Sequence, residues 1–342
     1  MNNYRAPWWQ FGGHMQTIAP ALIARRSFHY GAPALSWRRE RWDTPDGDFI
    51  DVDWSTHRLV AQAPTLVLFH GLEGSSRSHY AQAMAQVCAS RGWQLAVPHF
   101  RGCSGEPNRL ARAYHSGDAQ EIDWILRRMR SHAEHGLLAM GVSLGGNALA
   151  RWAGLQQQAA AEVVQALAVV SAPLDLVASG EQLGRGLNRR IYTRMFMRSL
   201  RPKALAKWQQ FPGLFDRQQL LAARDLKAFD DVFTAPVHGF VDVYDYWRRA
   251  SAKPLLAQVA VPMLVLNARN DPFVPVSSLP AHAEVSACVE LWQPVHGGHV
   301  GFGCGAFPGH VLAMPQAVTG WMQQWLDAAS EQEQGVNAWM TS

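Results

Sequence analysis

From residue 65 onward, short apolar runs alternate with amphipathic stretches. Thr65–Phe69, Leu95–Pro98, Leu137–Gly141 and Ala166–Ser171 are nearly continuous apolar runs, the pattern of strands buried on both faces. Ser78–Ser90, Asp118–Arg130 and Leu144–Leu155 lie between them with helical spacing, as in Ile122, Ile125, Leu126 and Met129. Ser78 is the expected N-cap of the first helix and Gly92 its expected stop. Strands that alternate with helices in this way predict a mostly parallel sheet. Upstream, Arg38–Asp43 and Phe49–Trp54 flank Thr44-Pro45-Asp46-Gly47-Asp48, which predicts a β-hairpin.

The alternation breaks after Pro173. Residues 174–255 hold polar, arginine-rich helical pieces and no convincing strand. It resumes with strands at Val261–Asn267 and Val289–Trp292 and a last helix around Val311–Leu326. The expected organisation is an N-terminal extension over 1–37, packed on the body, and a core made of 38–173 and 256–328. A helical cap occupies 174–255 and a C-terminal tail 329–342. A surface excursion without function is the plainer alternative for 174–255.

Composition narrows the class. Of 342 residues, 48% are hydrophobic and 17% charged, enough to build a large core and too apolar for disorder. The 31 basic and 27 acidic residues leave a net charge of +4 without a dense Lys/Arg block, so no nucleic-acid partner is expected. Four separated cysteines, Cys88, Cys103, Cys288 and Cys304, read as reduced thiols. No secretory signal and no run of about 18 apolar residues is found, so a soluble, cytoplasmic protein is expected. Fourteen tryptophans call for a core or greasy cleft to hold them.

The strongest chemical signal is Gly141-Val142-Ser143-Leu144-Gly145, which follows a strand and opens a helix. A sharp strand-to-helix turn would expose the Ser143 hydroxyl at the sheet edge, next to the positive end of a helix. A glycine turn with a capping serine is the bland reading, and the strand–turn–helix context disfavours it. A serine nucleophile needs a base and an orienting carboxylate, which on such folds follow it in the order acid, then histidine. Asp271, in Asn270-Asp271-Pro272 after a predicted strand, fits that order better than Asp242 or Asp245. His296 and His299 both lie in a loop that could reach the serine, and chemistry alone does not choose between them. A metal site built from His296, His299, Cys304 and His310 is disfavoured by the glycine-rich loop. Oxyanion donors are expected from the backbone N–H of Leu144 and of Leu72, in His70-Gly71-Leu72-Glu73-Gly74. His70, Gly71 and Glu73 are candidate substrate contacts.

Taken together, the chain resembles the α/β-hydrolase superfamily, and within it the YheT-like family of esterases. The resemblance rests on Gly13–Ile18, His70–Ser76, Phe100–Gly105, Gly141–Asn147, Asn270–Pro272 and Gly297–Phe302, in order, over about residues 8–326. It implies an eight-stranded, mostly parallel sheet with helices on both faces and a helical cap between the sixth and seventh strands. It also implies a Ser143–Asp271–His299 triad, choosing His299 because the family's histidine follows paired glycines and precedes Gly-Phe. Eukaryotic members carry an N-terminal membrane anchor, for which this sequence shows no match.

The expected reaction is hydrolysis of carboxylic esters, with short- to medium-chain acyl esters, acylglycerols or other lipids as substrates, through an acyl-enzyme and without cofactor or metal. An acyltransferase using the same triad and a non-catalytic scaffold are the rivals. Between Glu181 and Lys207, basic residues interleave with Leu183, Leu187, Ile191, Met195, Phe196 and Leu200. Such a face could touch anionic headgroups, but a solvated helix face is the preferred reading. Oligomeric state is not readable from the residues.

Overall fold

The computed structural model describes residues 1–27 and 36–340. Residues 28–35 of the expected N-terminal extension, and the last two of the expected tail, lie outside the described residues. Among those described, eight strands form one sheet: β1 (Ser36–Asp43), β2 (Phe49–Thr56), β3 (Thr65–Phe69), β4 (Gln94–Pro98), β5 (Leu137–Val142), β6 (Ala166–Val170), β7 (Met263–Leu266) and β8 (Val289–Trp292). Their order is β1-β2-β4-β3-β5-β6-β7-β8. The predicted hairpin, β1 with β2, is antiparallel, as is β2 with β4, and every pairing from β4 to β8 is parallel. The C-terminal ends of β3, β5, β6 and β7 therefore open onto one edge.

Strand residues alternate between two cores because successive side chains point to opposite faces. On one face Val67, Phe69, Ala139, Leu167 and Val169 pack against Ile122, Ile125 and Trp152 of α3 (Ala119–Arg130) and α4 (Leu144–Gln156). On the other, Leu66, Leu68, Leu138, Met140 and Val170 pack against Met84 of α2 (His79–Arg91) and against Trp321 and Met322. A short helix, α5 (Ala159–Val163), precedes β6.

Between β6 and β7 the described chain is helical. It runs through α6 (Leu176–Leu183), α7 (Gly186–Asn188), α8 (Arg194–Gln210), α9 (Arg217–Ala222), α10 (Leu226–Phe229), α11 (Ala235–Val237) and α12 (Val243–Ala250). Single π-helical turns at Arg189–Thr193 and Asp230–Thr234 join these pieces. Their apolar sides form a separate cluster around Met197, Leu200, Phe215, Phe229 and Phe233.

Three local expectations need revision. The N-terminal segment, read as aperiodic, contains α1 (Gly12–Ser27), masked in sequence by its glycine start and internal Pro20. Ser78 occupies the N-cap position of α2, yet its hydroxyl accepts from the Ser75 N–H at 3.1 Å and caps no backbone N–H of the helix. The last helix, α13 (Ala313–Met340), does not stop near Leu326. It continues through the segment set apart as a tail, whose Asp-Ala-Ala-Ser-Glu-Gln-Glu-Gln run favours helix and lacks a proline stop.

Candidate active site

Ser143 stands at the turn between β5 and α4, at φ 52° and ψ −119°, a conformation that a non-glycine residue rarely adopts. The surroundings enforce it. A Cβ at Gly145 would sit 2.5 Å from the His70 carbonyl oxygen, and one at Gly141 would sit 2.5 Å from the Gly145 carbonyl oxygen. Only glycines let β3, β5 and the first turn of α4 approach so closely, and that packing leaves the Ser143 side chain facing a cavity.

His299 reaches this edge from the loop after β8. Its Nδ1 lies 2.8 Å from Asp271 Oδ2 and its Nε2 lies 3.0 Å from Ser143 Oγ. A carboxylate only accepts, so Nδ1 carries the proton and donates to Asp271, which leaves Nε2 to accept from the Ser143 hydroxyl. Asp271 follows β7, is buried, and its other oxygen accepts the N–H groups of Phe273 at 2.7 Å and Val274 at 3.3 Å. The Phe273 ring stacks on the imidazole at 4.0 Å between centroids. The other candidate, His296, is absent from this constellation.

Helix α1 supplies residues that the motif reading missed. Thr17 Oγ1 accepts the His299 N–H at 2.9 Å and donates to the Gly13 carbonyl at 2.7 Å. Gln16 Oε1 accepts from Asn270 Nδ2 and from the Gly297 N–H, both at 2.8 Å. Asn270 Oδ1 in turn accepts the Gly298 N–H at 3.0 Å. From the β6 side, Ser171 Oγ accepts the Val300 N–H at 3.0 Å. These bonds tie the histidine loop to the loop that carries Asp271. Gly13–Ile18 and Asn270–Pro272 are in the sequence resemblance, but nothing in their spacing signals that they meet.

The loop after β3 is held as firmly. Its Gly71 N–H donates to the Tyr80 hydroxyl at 2.9 Å, and its Glu73 N–H donates to the Tyr114 hydroxyl at 3.0 Å. Leu72, between them, lines the cavity beside Ser143 and Leu144. Glu73 also lines it, at φ 57°. His70 is different. It is fully buried behind the wall, where Nε2 accepts the Phe100 N–H at 3.1 Å and Nδ1 therefore donates to the Gly71 carbonyl at 2.8 Å. Burial, with His99 close by, pushes its pKa down to about 3, so the ring stays neutral and shapes the loop. The position of His70 thus corrects its expected role as a substrate contact, since both nitrogens are used inside the fold. Gly71 is likewise not part of the cavity wall.

The cavity measures about 630 Å³ and is walled mainly by apolar side chains. Leu176, Phe196, Leu200, Phe229, Phe233 and Trp247 come from the helical excursion and face Ser143 and His299 across it. Lys203 and Lys207 of α8 are also on the wall. Lys207 is buried, donating to Asn108 Oδ1 at 2.9 Å and to the Leu110 carbonyl at 2.6 Å. Among the described residues the four of the metal reading do not form a group of three or more ligands: His299 is bound to Asp271, and Cys304 Sγ pairs with His310 alone of the other three, its Nδ1 at 3.1 Å.

A family model for the alpha/beta hydrolase fold matches residues 64–305. YheT of Escherichia coli (strain K12), named as an esterase, is 38% identical over 321 residues, covering 93% of this chain and 92% of the relative. Human phospholipase ABHD3 is 27% identical over 331 residues, covering 94% of this chain and 79% of that protein. Among solved structures, mouse alpha/beta hydrolase domain-containing protein 10 superposes with a TM-score of 0.54 at 14% identity, covering 84% of this chain and 99% of that one. A bacterial membrane phospholipase A gives a TM-score of 0.53 at 18% identity, covering 91% and 92% respectively. At these identities the two structures speak for the fold alone.

Proposed function

Since the chain belongs to the α/β-hydrolase family, and to its YheT-like branch, we propose that it cleaves carboxylic esters with Ser143 as nucleophile, His299 as base and Asp271 as the group that orients the base. One observation carries this reading: the hydrogen-bonded line from Ser143 Oγ through both ring nitrogens of His299 to Asp271 Oδ2. As the serine oxygen attacks the ester carbonyl, Nε2 takes its proton and the buried carboxylate stabilises the imidazolium. The proton then passes to the departing alcohol, leaving an acyl group on Ser143. Water, deprotonated by His299, attacks the acyl-enzyme and releases the acid.

The developing oxyanion is held by the backbone N–H groups of Leu72 and Leu144. The support is positional, since both residues flank Ser143 on the cavity wall and Leu144 opens a helix of 13 residues with its positive end there. The helical excursion, residues 174–255, acts as a cap over the core built from 38–173 and 256–328. An apolar wall favours esters whose acyl part is a hydrocarbon chain.

Ser143→Ala tests the assignment. It is expected to remove turnover of p-nitrophenyl esters and labelling by a fluorophosphonate probe while leaving the fold intact by circular dichroism. Undiminished turnover would assign the nucleophile elsewhere.

A further inference from the structure

Helix α8 and the π-turn before it have two apolar sides, and only one faces the protein. Phe196 and Leu200 point into the cavity. On the opposite side Leu187, Ile191 and Met195, four residues apart, are 56%, 39% and 53% exposed. Arginines interleave with this stripe: Arg185, Arg189, Arg190, Arg194 and Arg198 are all exposed. Arg185 bonds to Glu181 and Arg189 lies near Asp225, whereas Arg190, Arg194 and Arg198 have no acidic partner within 4 Å among the described residues. Next to the stripe, His14 of α1 bonds to Tyr192 of the π-turn at 3.1 Å, and Met15 and Leu22 of α1 are exposed, as is Phe11 just before it.

A helix face that is merely solvated carries polar side chains between its charges. Here the intervening positions are large and apolar, so water is a poor solvent for the face as a whole. Neither a neutral apolar partner nor a purely polyanionic one would satisfy both components. An anionic lipid surface does, with phosphates for the guanidinium groups and acyl chains for Leu187, Ile191 and Met195. The placement also has a use, because α8 is about 10 Å thick and its inner side is the cavity wall. No described helix is long and apolar enough to cross a membrane, so the contact is peripheral.

We propose that the outer face of α7, the Arg189–Thr193 turn and α8 docks the protein on anionic lipid bilayers. The inference needs no assumption about the catalytic residues.

The test is co-sedimentation of the full chain with vesicles of phosphatidylcholine, with and without added phosphatidylglycerol. Binding is expected at least tenfold tighter to the anionic vesicles and weaker as salt is raised. Each arginine at such a surface strengthens binding about fivefold, so Arg190→Glu/Arg194→Glu/Arg198→Glu should weaken it by on the order of a hundredfold or more. Ile191→Ser/Met195→Ser should also weaken it, and both variants should hydrolyse a soluble p-nitrophenyl ester at the unaltered rate. Equal partition between the two vesicle types, no sedimentation, or variants that bind like the parent would overturn the proposal. A concentration-dependent dimer abolished by Ile191→Ser/Met195→Ser would overturn it too, by assigning the face to a second copy. A protein that binds anionic vesicles but turns over no ester sinks the hydrolase reading and leaves this one standing.

Discussion

The ammonium of Lys203, on α8, lies 2.9 Å from the carboxylate of Glu73, on the loop after β3. Glu73 is held from the other side by Tyr114, whose hydroxyl accepts the Glu73 N–H and donates to its carboxylate at 2.8 Å. A residue at φ 57° keeps that conformation only while its partners do, and Leu72 is its immediate neighbour. The helical excursion and the proposed oxyanion loop are thereby coupled through one ion pair.

Breaking that pair should therefore slow the chemical step more than it weakens binding. Lys203→Met is expected to lower kcat roughly tenfold, a fraction of the loss seen when an oxyanion donor is removed outright, with KM changed less. Lys203→Arg should restore most of it. Steady-state kinetics on a soluble ester decide the matter, and a change confined to KM would leave Lys203 as a wall residue only.

Asp271→Asn keeps the shape of the triad but supplies an amide where the imidazole needs an acceptor. His299 then loses the bond that fixes its proton on Nδ1. A fall in kcat on the order of 10³–10⁴ is expected, with the denaturation midpoint little changed. If activity survives within a factor of a few, the acid lies elsewhere.

Thr17→Val removes the acceptor of the His299 N–H without touching the ring. The unpaired N–H costs about 1–3 kcal/mol of local order. We expect a roughly tenfold or greater loss of kcat, which Thr17→Ser should rescue. Parent-like kinetics in Thr17→Val would show that α1 does not position the histidine.

Two buried histidines should work against the fold as the pH falls. Burial pushes His70 and His115 from the usual value near 6.5 down to about 3, so the native state keeps both neutral. The unfolded chain binds protons below pH 6.5 that the native chain does not, so both groups destabilise the fold as pH drops toward 3. Each contributes a slope of about 1.4 kcal/mol per pH unit inside that window. Burial raises Glu121 to about 7 and Asp230 to about 6, which pulls the net stability the other way over the same range. The sign is therefore checked on the rings themselves: in an NMR titration His70 and His115 should stay neutral at pH 5, and a ring that charges above pH 5 would contradict it.

Much of this could be read from the chain because it depends on near neighbours. Period-two and period-3.6 patterns, the Pro-Asp-Gly turn and the glycines around Ser143 act within a few residues, and β3 and β8 lie where the pattern puts them. Helix α1 escaped because its start and its Pro20 blur the period, and the excess length of α13 escaped because polar helix formers carry no periodic signal. The sequence determined the strands and helices of the alternating core, their order and the serine turn. The choice between His296 and His299 needed the family resemblance, since both stand in one flexible-looking loop.

Tertiary structure alone decided what meets. His299 and Ser143 are 156 positions apart, and Thr17 and His299 are 282. No local rule links such positions. Only the parallel stacking of β3, β5, β6 and β7 brings their loops to one edge, and only packing against it turned α1 into a brace and one side of α8 into a cavity wall while leaving the other side open. Neighbours along the chain set backbone geometry through short-range sterics and hydrogen bonds, whereas distant partners are chosen by how whole elements pack, and that information is spread over the entire chain.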